Sequence, residues 1–311
     1  MTAAMTRRVF VGAAATGLMA GRSALAADGM AVPRSAGTES PRLPAPPLAC
    51  DAHFHIIDPR FPTPEQSKPT DQNFASYRLL QKRIGTTRAV PVQPKYHRTD
   101  HTCLLDALRQ LGANGRGIGV LHPDVTDAEL KRLHEGGMRG LRFSVWNPAD
   151  TVTTADMIEP LAKRIADFGW NVQLHMLGDQ IVESSALLNR LPCQIVFDHM
   201  GRLPPKQGPD HPGFKVIADL MQKGKAWVKL AGAYLNTEIG GPEYPDATRI
   251  AQAFVRVAPE RLVWGSDWPH VTEKHMPDDA VLFDLLGVWA GDEKTRQRIL
   301  VDNPAKLYGF V

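Results

Sequence analysis

The stretch that decides the fold is Ala49-Cys50-Asp51-Ala52-His53-Phe54-His55-Ile56-Ile57, an apolar run interrupted by Asp51 and two histidines. A continuous apolar segment of this length is a buried strand, and side chains two apart on a strand share a face. His53 and His55 therefore point the same way, at the strand's C-terminal end.

Seven further runs of the same kind follow: 88–93, 117–121, 140–145, 171–175, 194–199, 227–231 and 261–266. Stretches with helical spacing separate them, at 103–111, 127–135, 157–168, 181–191, 213–223 and 247–257. Eight strands alternating with helices predict an α/β fold, a (β/α)8 TIM barrel over residues 48–311. A doubly wound open sheet is the alternative, but no glycine-rich phosphate loop follows the first strand.

The polar residues concentrate where a barrel places its chemistry. His175 closes the fifth strand (Val172-Gln173-Leu174-His175), His199 the sixth (Ile195-Val196-Phe197-Asp198-His199), and Asp267 follows the eighth (Val263-Trp264-Gly265-Ser266-Asp267). Any one of these alone reads more simply as a hydrogen-bonded core residue. Five imidazole and carboxylate groups at strand ends instead form a set suited to a divalent ion, above all Zn²⁺, with a coordination position left for water. Around them, Arg142 and Trp146 follow strand four, Lys95 and His97 strand two, and Tyr234 strand seven, all candidate substrate-binding residues.

The rest of the chain bounds the reading. The net charge of +3 comes from 36 basic and 33 acidic residues; residues 1–26 hold Arg7, Arg8 and Arg22 and no acid, so their removal balances the chain at 33 against 33. A neutral chain has no field to recruit nucleic acid. Three cysteines, Cys50, Cys103 and Cys193, fit neither a disulfide framework nor a thiolate metal site. Thr6-Arg7-Arg8-Val9-Phe10, the apolar run Val11–Ala20 and Ala24-Leu25-Ala26 read as a twin-arginine signal peptide over 1–26, which predicts a periplasmic protein with no membrane attachment after cleavage. A chance extension on a cytoplasmic protein is the alternative. Residues 27–47, rich in Pro, Ser and Gly, read as a disordered linker.

The chain resembles the amidohydrolase superfamily, in the branch that contains 2-pyrone-4,6-dicarboxylate lactonase and sulfomuconolactone hydrolase. The likeness rests on Asp51-Ala52-His53-Phe54-His55, Leu133-His134-Glu135-Gly136-Gly137-Met138-Arg139-Gly140, Phe197-Asp198-His199-Met200-Gly201-Arg202, Trp264-Gly265-Ser266-Asp267-Trp268-Pro269-His270 and Asn303-Pro304-Ala305-Lys306-Leu307-Tyr308. It implies a metal centre of His53, His55, His175 and Asp267, with Asp267 also the proton acceptor and His199 polarising a carbonyl. Members of the branch are known with and without metal. The pyrone-dicarboxylate lactonase carries a tyrosine where this chain has His175, which favours a metal here; a metal-independent site is the alternative.

The substrate implied is a small anionic lactone from aromatic catabolism. Arg142 matches one carboxylate-binding arginine of the pyrone-dicarboxylate enzyme, whereas Pro148 and Leu235 stand near two others. A 4-sulfomuconolactone-like substrate is therefore expected over the pyrone dicarboxylate. Lactone isomerisation or non-oxidative decarboxylation of an aromatic acid on the same scaffold is the alternative, and a non-catalytic binding protein a more distant one.

Overall fold

The computed structural model describes Met1 and residues 29–61, 71–273 and 275–311. The expected signal peptide lies, beyond Met1, outside the described residues. Eight strands occur in the expected order: β1 Cys50–Phe54, β2 Arg88–Pro91, β3 Gly117–Gly119, β4 Met138–Ser144, β5 Asn171–His175, β6 Ile195–Phe197, β7 Ala226–Leu230 and β8 Leu262–Trp264. All pairings are parallel, β1 with β2 and β3 through β8 in sequence order. Parallel bridges Ala89–Gly115 and Val92–Ile118 join the two sheets on one side.

Closure on the other side, between β1 and β8, uses few backbone bonds and one buried carboxylate. The backbone supplies Asp267 N–H to His53 O (2.8 Å) and His55 N–H to Trp268 O (2.7 Å). Asp51 Oδ1 accepts from Ser266 N (2.9 Å) and His53 N (3.2 Å), while Oδ2 accepts from Ser266 Oγ (2.6 Å) and Tyr77 Oη (3.2 Å). Gly265 is needed at this seam, since a Cβ there would stand 2.5 Å from His53 Cβ.

The register explains where the histidines point. Asp51 pairs with Ala89 but Phe54 with Pro91, so β1 carries one extra residue over this span. Asp51 and Phe54 both face Tyr77 of the helix 74–84. Cys50 and Ala52 pack with Val90, Val92, Ile118, Val196 and Val263 above Tyr308 and Phe310, an apolar plug inside the barrel. The bulge changes the phase of the strand, so His53 and His55 also face inward, above that plug.

Several boundaries differ from expectation. The helix expected over 181–191 is two short ones, Gly178–Glu183 and Ser185–Arg190, and that over 157–168 keeps its α-helical bonds only from Ile158 to Ile165. Helices 74–84 and 279–290 were not anticipated. The second is apolar on nearly all sides and buries Leu282, Phe283, Leu285, Leu286 and Trp289, so it shows little periodicity to read.

The segment 27–47, expected to be a disordered linker, is docked from residue 29 onward. Val32 is buried, and Trp268 Nε1 donates to Pro33 O at 2.7 Å. Arg83, buried, donates to Ser35 Oγ and to the carbonyls of Ala36 and Gly37, and pairs with Asp278 at 2.9 Å. Composition without periodicity reports the absence of helix and strand. It does not report the absence of partners, and a buried guanidinium needs several acceptors.

The Asp51 seam gives a direct test. Asp51→Ala removes a buried carboxylate that accepts four hydrogen bonds, and we expect a loss of about 3 kcal/mol or more in chemical denaturation. A loss below about 1 kcal/mol would show that backbone pairing alone closes the barrel.

Candidate active site

His53 and His55 face each other at the barrel mouth with Nε2 atoms 3.3 Å apart. Asp267 Oδ1 stands 3.4 Å from His53 Nε2, 3.6 Å from His55 Nε2 and 3.9 Å from His199 Nε2. Tetrahedral ligands about 2.1 Å from a zinc ion are separated by roughly 3.4 Å, so the first three atoms are spaced as one face of such a tetrahedron. The outer contacts agree. His55 Nδ1 donates to Val92 O at 2.8 Å, leaving Nε2 with its lone pair. Asp267 Oδ2 accepts from Tyr234 Oη at 2.6 Å, leaving Oδ1 toward the imidazoles. His53, His55 and Asp267 therefore fit a divalent ion; His53, Asp198 and His199 form an overlapping group among the described residues.

The backbone holds these groups in uncommon conformations. His199, Arg202, Asp267 and His270 all have positive φ (50°, 45°, 60° and 58°). Side chains other than glycine are strained there, and such residues persist only where their surroundings fix them. Asp267 is fixed through its N–H on His53 O, and His270 through its N–H on Asp267 O at 2.9 Å. Gly232 makes room for His199, because a Cβ there would lie 3.0 Å from His199 Nδ1.

Burial dominates the protonation states. It lowers the pKa of His53, His175 and His199, and brings His55 to about 4, with the nearby Arg142 charge adding to its effect on His55 and His175. Burial also opposes ionisation of Asp267, yet the surrounding His199, His53 and His55 hold it well below the usual carboxylate range. The site at neutral pH is thus a carboxylate among neutral imidazoles.

His175 does not join that group. Arg202 Nη1 stands 3.2 Å from its Nε2, and Ser144 Oγ and Arg142 Nη2 stand 3.0 and 3.2 Å from Nδ1. A guanidinium only donates, so in either tautomer the one lone pair of the neutral ring accepts from an arginine, Arg202 at Nε2 or Arg142 at Nδ1. The lone pair expected to bind a metal is already engaged.

The other expected residues divide. Arg142, Lys95 and Trp146 line a cavity of about 310 Å³, together with His55, His175, His199, Asp267 and Leu235. Lys95 pairs there with Asp150. Tyr234 acts on Asp267 directly, and also meets His270 Nδ1 at 2.9 Å; His270 Nε2 meets Asp279 at 3.1 Å. His97 is not at this cavity. It is buried in a small pocket with Pro91, Val92, Cys103 and Leu104, because the turn 95–97 folds its ring back toward the helix 102–111.

Three residues at the site, Asp198, Lys229 and Arg202, carry no expected role in the sequence. Asp198, fully buried, pairs with Arg142 Nε (2.8 Å) and Lys229 Nζ (3.2 Å). Lys229, also fully buried, donates to Gln173 Oε1 (2.5 Å) and meets His53 Nδ1 (2.8 Å). Burial lowers its pKa to about 8. Arg202 has no carboxylate within ion-pair distance among the described residues, and stacks on Trp146 at 5.1 Å. A lysine inside Trp227-Val228-Lys229-Leu230 and an acid directly before His199 were the available signals.

The amidohydrolase family pattern matches residues 50–310, and the chain belongs to that family. It is similar to the 4-sulfomuconolactone hydrolase of Hydrogenophaga intermedia, 36% identical over 87% of this chain and 91% of that one. It is also similar to the 2-pyrone-4,6-dicarboxylate hydrolase of Comamonas testosteroni, 33% identical over 88% of this chain and 94% of that one. A solved Pseudomonas putida protein of the 2-pyrone-4,6-dicarboxylic acid hydrolase type superposes with a TM-score of 0.74 at 31% identity, covering 85% of this chain and 98% of that one. The chain is an enzyme, a hydrolase of carboxylic ester bonds.

The buried imidazoles predict a stability profile. The pKa of His55 is lower folded than unfolded, so between about pH 6.5 and 4 the unfolded chain binds the proton and the folded chain does not. Stability is full above pH 6.5 and falls as pH drops toward 4, by about 3 kcal/mol from this residue. Asp51, raised to about 6, opposes this with similar size, while the lowered His101, His53, His175 and His199 add to it. Denaturation midpoints should fall steadily over this range, and less so in His55→Gln.

Proposed function

We propose that this chain hydrolyses the ring ester of a small lactone bearing a carboxylate or sulfonate, in the manner of a sulfomuconolactone hydrolase. The observation that carries this is an ionised Asp267 set among imidazoles in a cavity that Arg142 and Arg202 also line. Relatives acting on 4-sulfomuconolactone and on 2-pyrone-4,6-dicarboxylate support the substrate class.

Asp267 takes a proton from the attacking water and returns it to the ring oxygen as the ester opens. Tyr234, donating to its outer oxygen, keeps the reactive oxygen turned inward. His199, in the cavity wall beside Asp267, hydrogen-bonds the substrate carbonyl and supports the developing oxyanion. A Zn²⁺ ion held by His53, His55 and Asp267 would add Lewis-acid polarisation and a more acidic water.

Arg202 takes the anionic substituent. Arg142 lines the same cavity, but its Nε is committed to Asp198. Arg202 lies over the Trp146 ring with no carboxylate partner among the described residues, and guanidinium binds carboxylate or sulfonate through parallel hydrogen bonds. The cavity wall at Leu235 is apolar, which suits one anionic group there rather than two.

Asp267→Asn should fold normally and lose about a thousandfold or more in kcat, followed by the proton each ring opening releases in a weakly buffered indicator assay. Near-normal turnover in this variant would refute the mechanism, and turnover without acid release would indicate isomerisation. Arg202→Met should raise KM for the anionic lactone about tenfold or more while sparing a neutral lactone of the same ring. Equal losses on both substrates would remove Arg202 from substrate recognition.

A further inference from the structure

Lys229 sits beneath the candidate metal face, in a position that bears on whether a metal enters at all. It lies on β7 inside the barrel, fully buried, and three groups surround its Nζ: Gln173 Oε1 at 2.5 Å, His53 Nδ1 at 2.8 Å and Asp198 Oδ1 at 3.2 Å. An ammonium has three N–H donors and no acceptor, so Gln173 Oε1 and His53 Nδ1 accept from it, while Asp198 Oδ1 supplies an opposing charge. An imidazole that accepts at Nδ1 carries its proton on Nε2. That proton then points at His55 Nε2 and Asp267 Oδ1, 3.3 and 3.4 Å away. Both are acceptors, since His55 donates through Nδ1 to Val92 O and Asp267 is ionised.

We propose that Lys229 is a positioning residue that fixes the His53 tautomer with its proton on Nε2, inside the face formed by His53, His55 and Asp267, so that this hydrogen-bonded arrangement and metal uptake exclude each other. For an ion to bind, the ring proton moves from Nε2 to Nδ1 and Lys229 turns one N–H away from the ring. Asp198 Oδ1, 3.4 Å from His53 Nδ1, is the acceptor waiting for that proton. No proton is gained or lost overall, and Gln173 and Asp198 continue to hold the ammonium. The same side chains thereby support two states of one site, one organised by a shared proton and one by a cation, with Lys229 favouring the first.

This inference rests on reading His53, His55 and Asp267 as a metal-competent face, and two measurements keep it separate from that reading. The first is the tautomer of His53 in the metal-free wild-type protein, read by long-range ¹H–¹⁵N correlation on histidine-labelled protein and assigned with His53→Gln. We expect an unprotonated Nδ1 and a protonated Nε2; the opposite tautomer would overturn the proposal whether or not the enzyme binds metal. The second is Zn²⁺ affinity, measured by competition with a chromophoric chelator for wild type and Lys229→Met. Removing the donor should tighten binding about tenfold and move the His53 proton to Nδ1. Unchanged or weaker affinity in a folded Lys229→Met protein would also overturn it. If that variant does not fold, the wild-type tautomer decides. If neither protein takes up Zn²⁺, the metal reading fails while the tautomer still tests the role of Lys229.

Discussion

The Asp51 carboxylate holds together the one seam of the barrel that the strands do not close for themselves. Between β1 and β8 no regular ladder forms, and four donors from three elements converge on this buried group instead. One of them, the N–H of His53, belongs to a histidine of the site, and Ser266 directly precedes Asp267. The first and last strands are therefore fastened at the point where their functional side chains must meet. The bulge just beyond Asp51 and the absence of a side chain at Gly265 allow the two backbones to come that close.

Above this seam the chemistry is governed by how few charges the barrel can bury and how each is balanced. Asp198 answers both Arg142 and Lys229, so two cations share one fully buried anion. Asp267 stands among three imidazoles whose own ionisation burial opposes, and its hydrogen bond comes from Tyr234. Arg202 is the cavity guanidinium left with an aromatic face and an imidazole nitrogen as its partners among the described residues. In the proposed reaction an anionic substrate would complete that balance in the same cavity as Asp267.

The strands were legible because parallel barrel strands are buried on both faces and read as short apolar runs. The site was legible where its residues break those runs at the C-terminal end, as His53, His55, His199 and Asp267 do. His175 breaks a run in the same way, yet its ring lies between Arg142 and Arg202, and neither guanidinium advertises that contact in the sequence. His97 fails as a site residue for a related reason. A histidine six residues past a strand end can turn either way, and the turn 95–97 sends it toward Cys103 and Leu104.

The sequence by itself determined the barrel, its succession of strands and the residue types at the mouth, because strand period and burial are local properties that each segment expresses alone; the amidohydrolase character came from the likeness of its motifs. Only the tertiary structure decided which of those residues meet. The bulge that turns His53 inward, the docking of residues 29–47, the pairing of Asp198 with Arg142 and Lys229, and the diversion of His175 all depend on side chains brought together from distant segments. A hydrogen-bond donor needs an acceptor at the right distance and direction, and no spacing along the chain encodes that distance. The sequence therefore identified the imidazole and carboxylate groups at the mouth, and the packing around them set which of them meet.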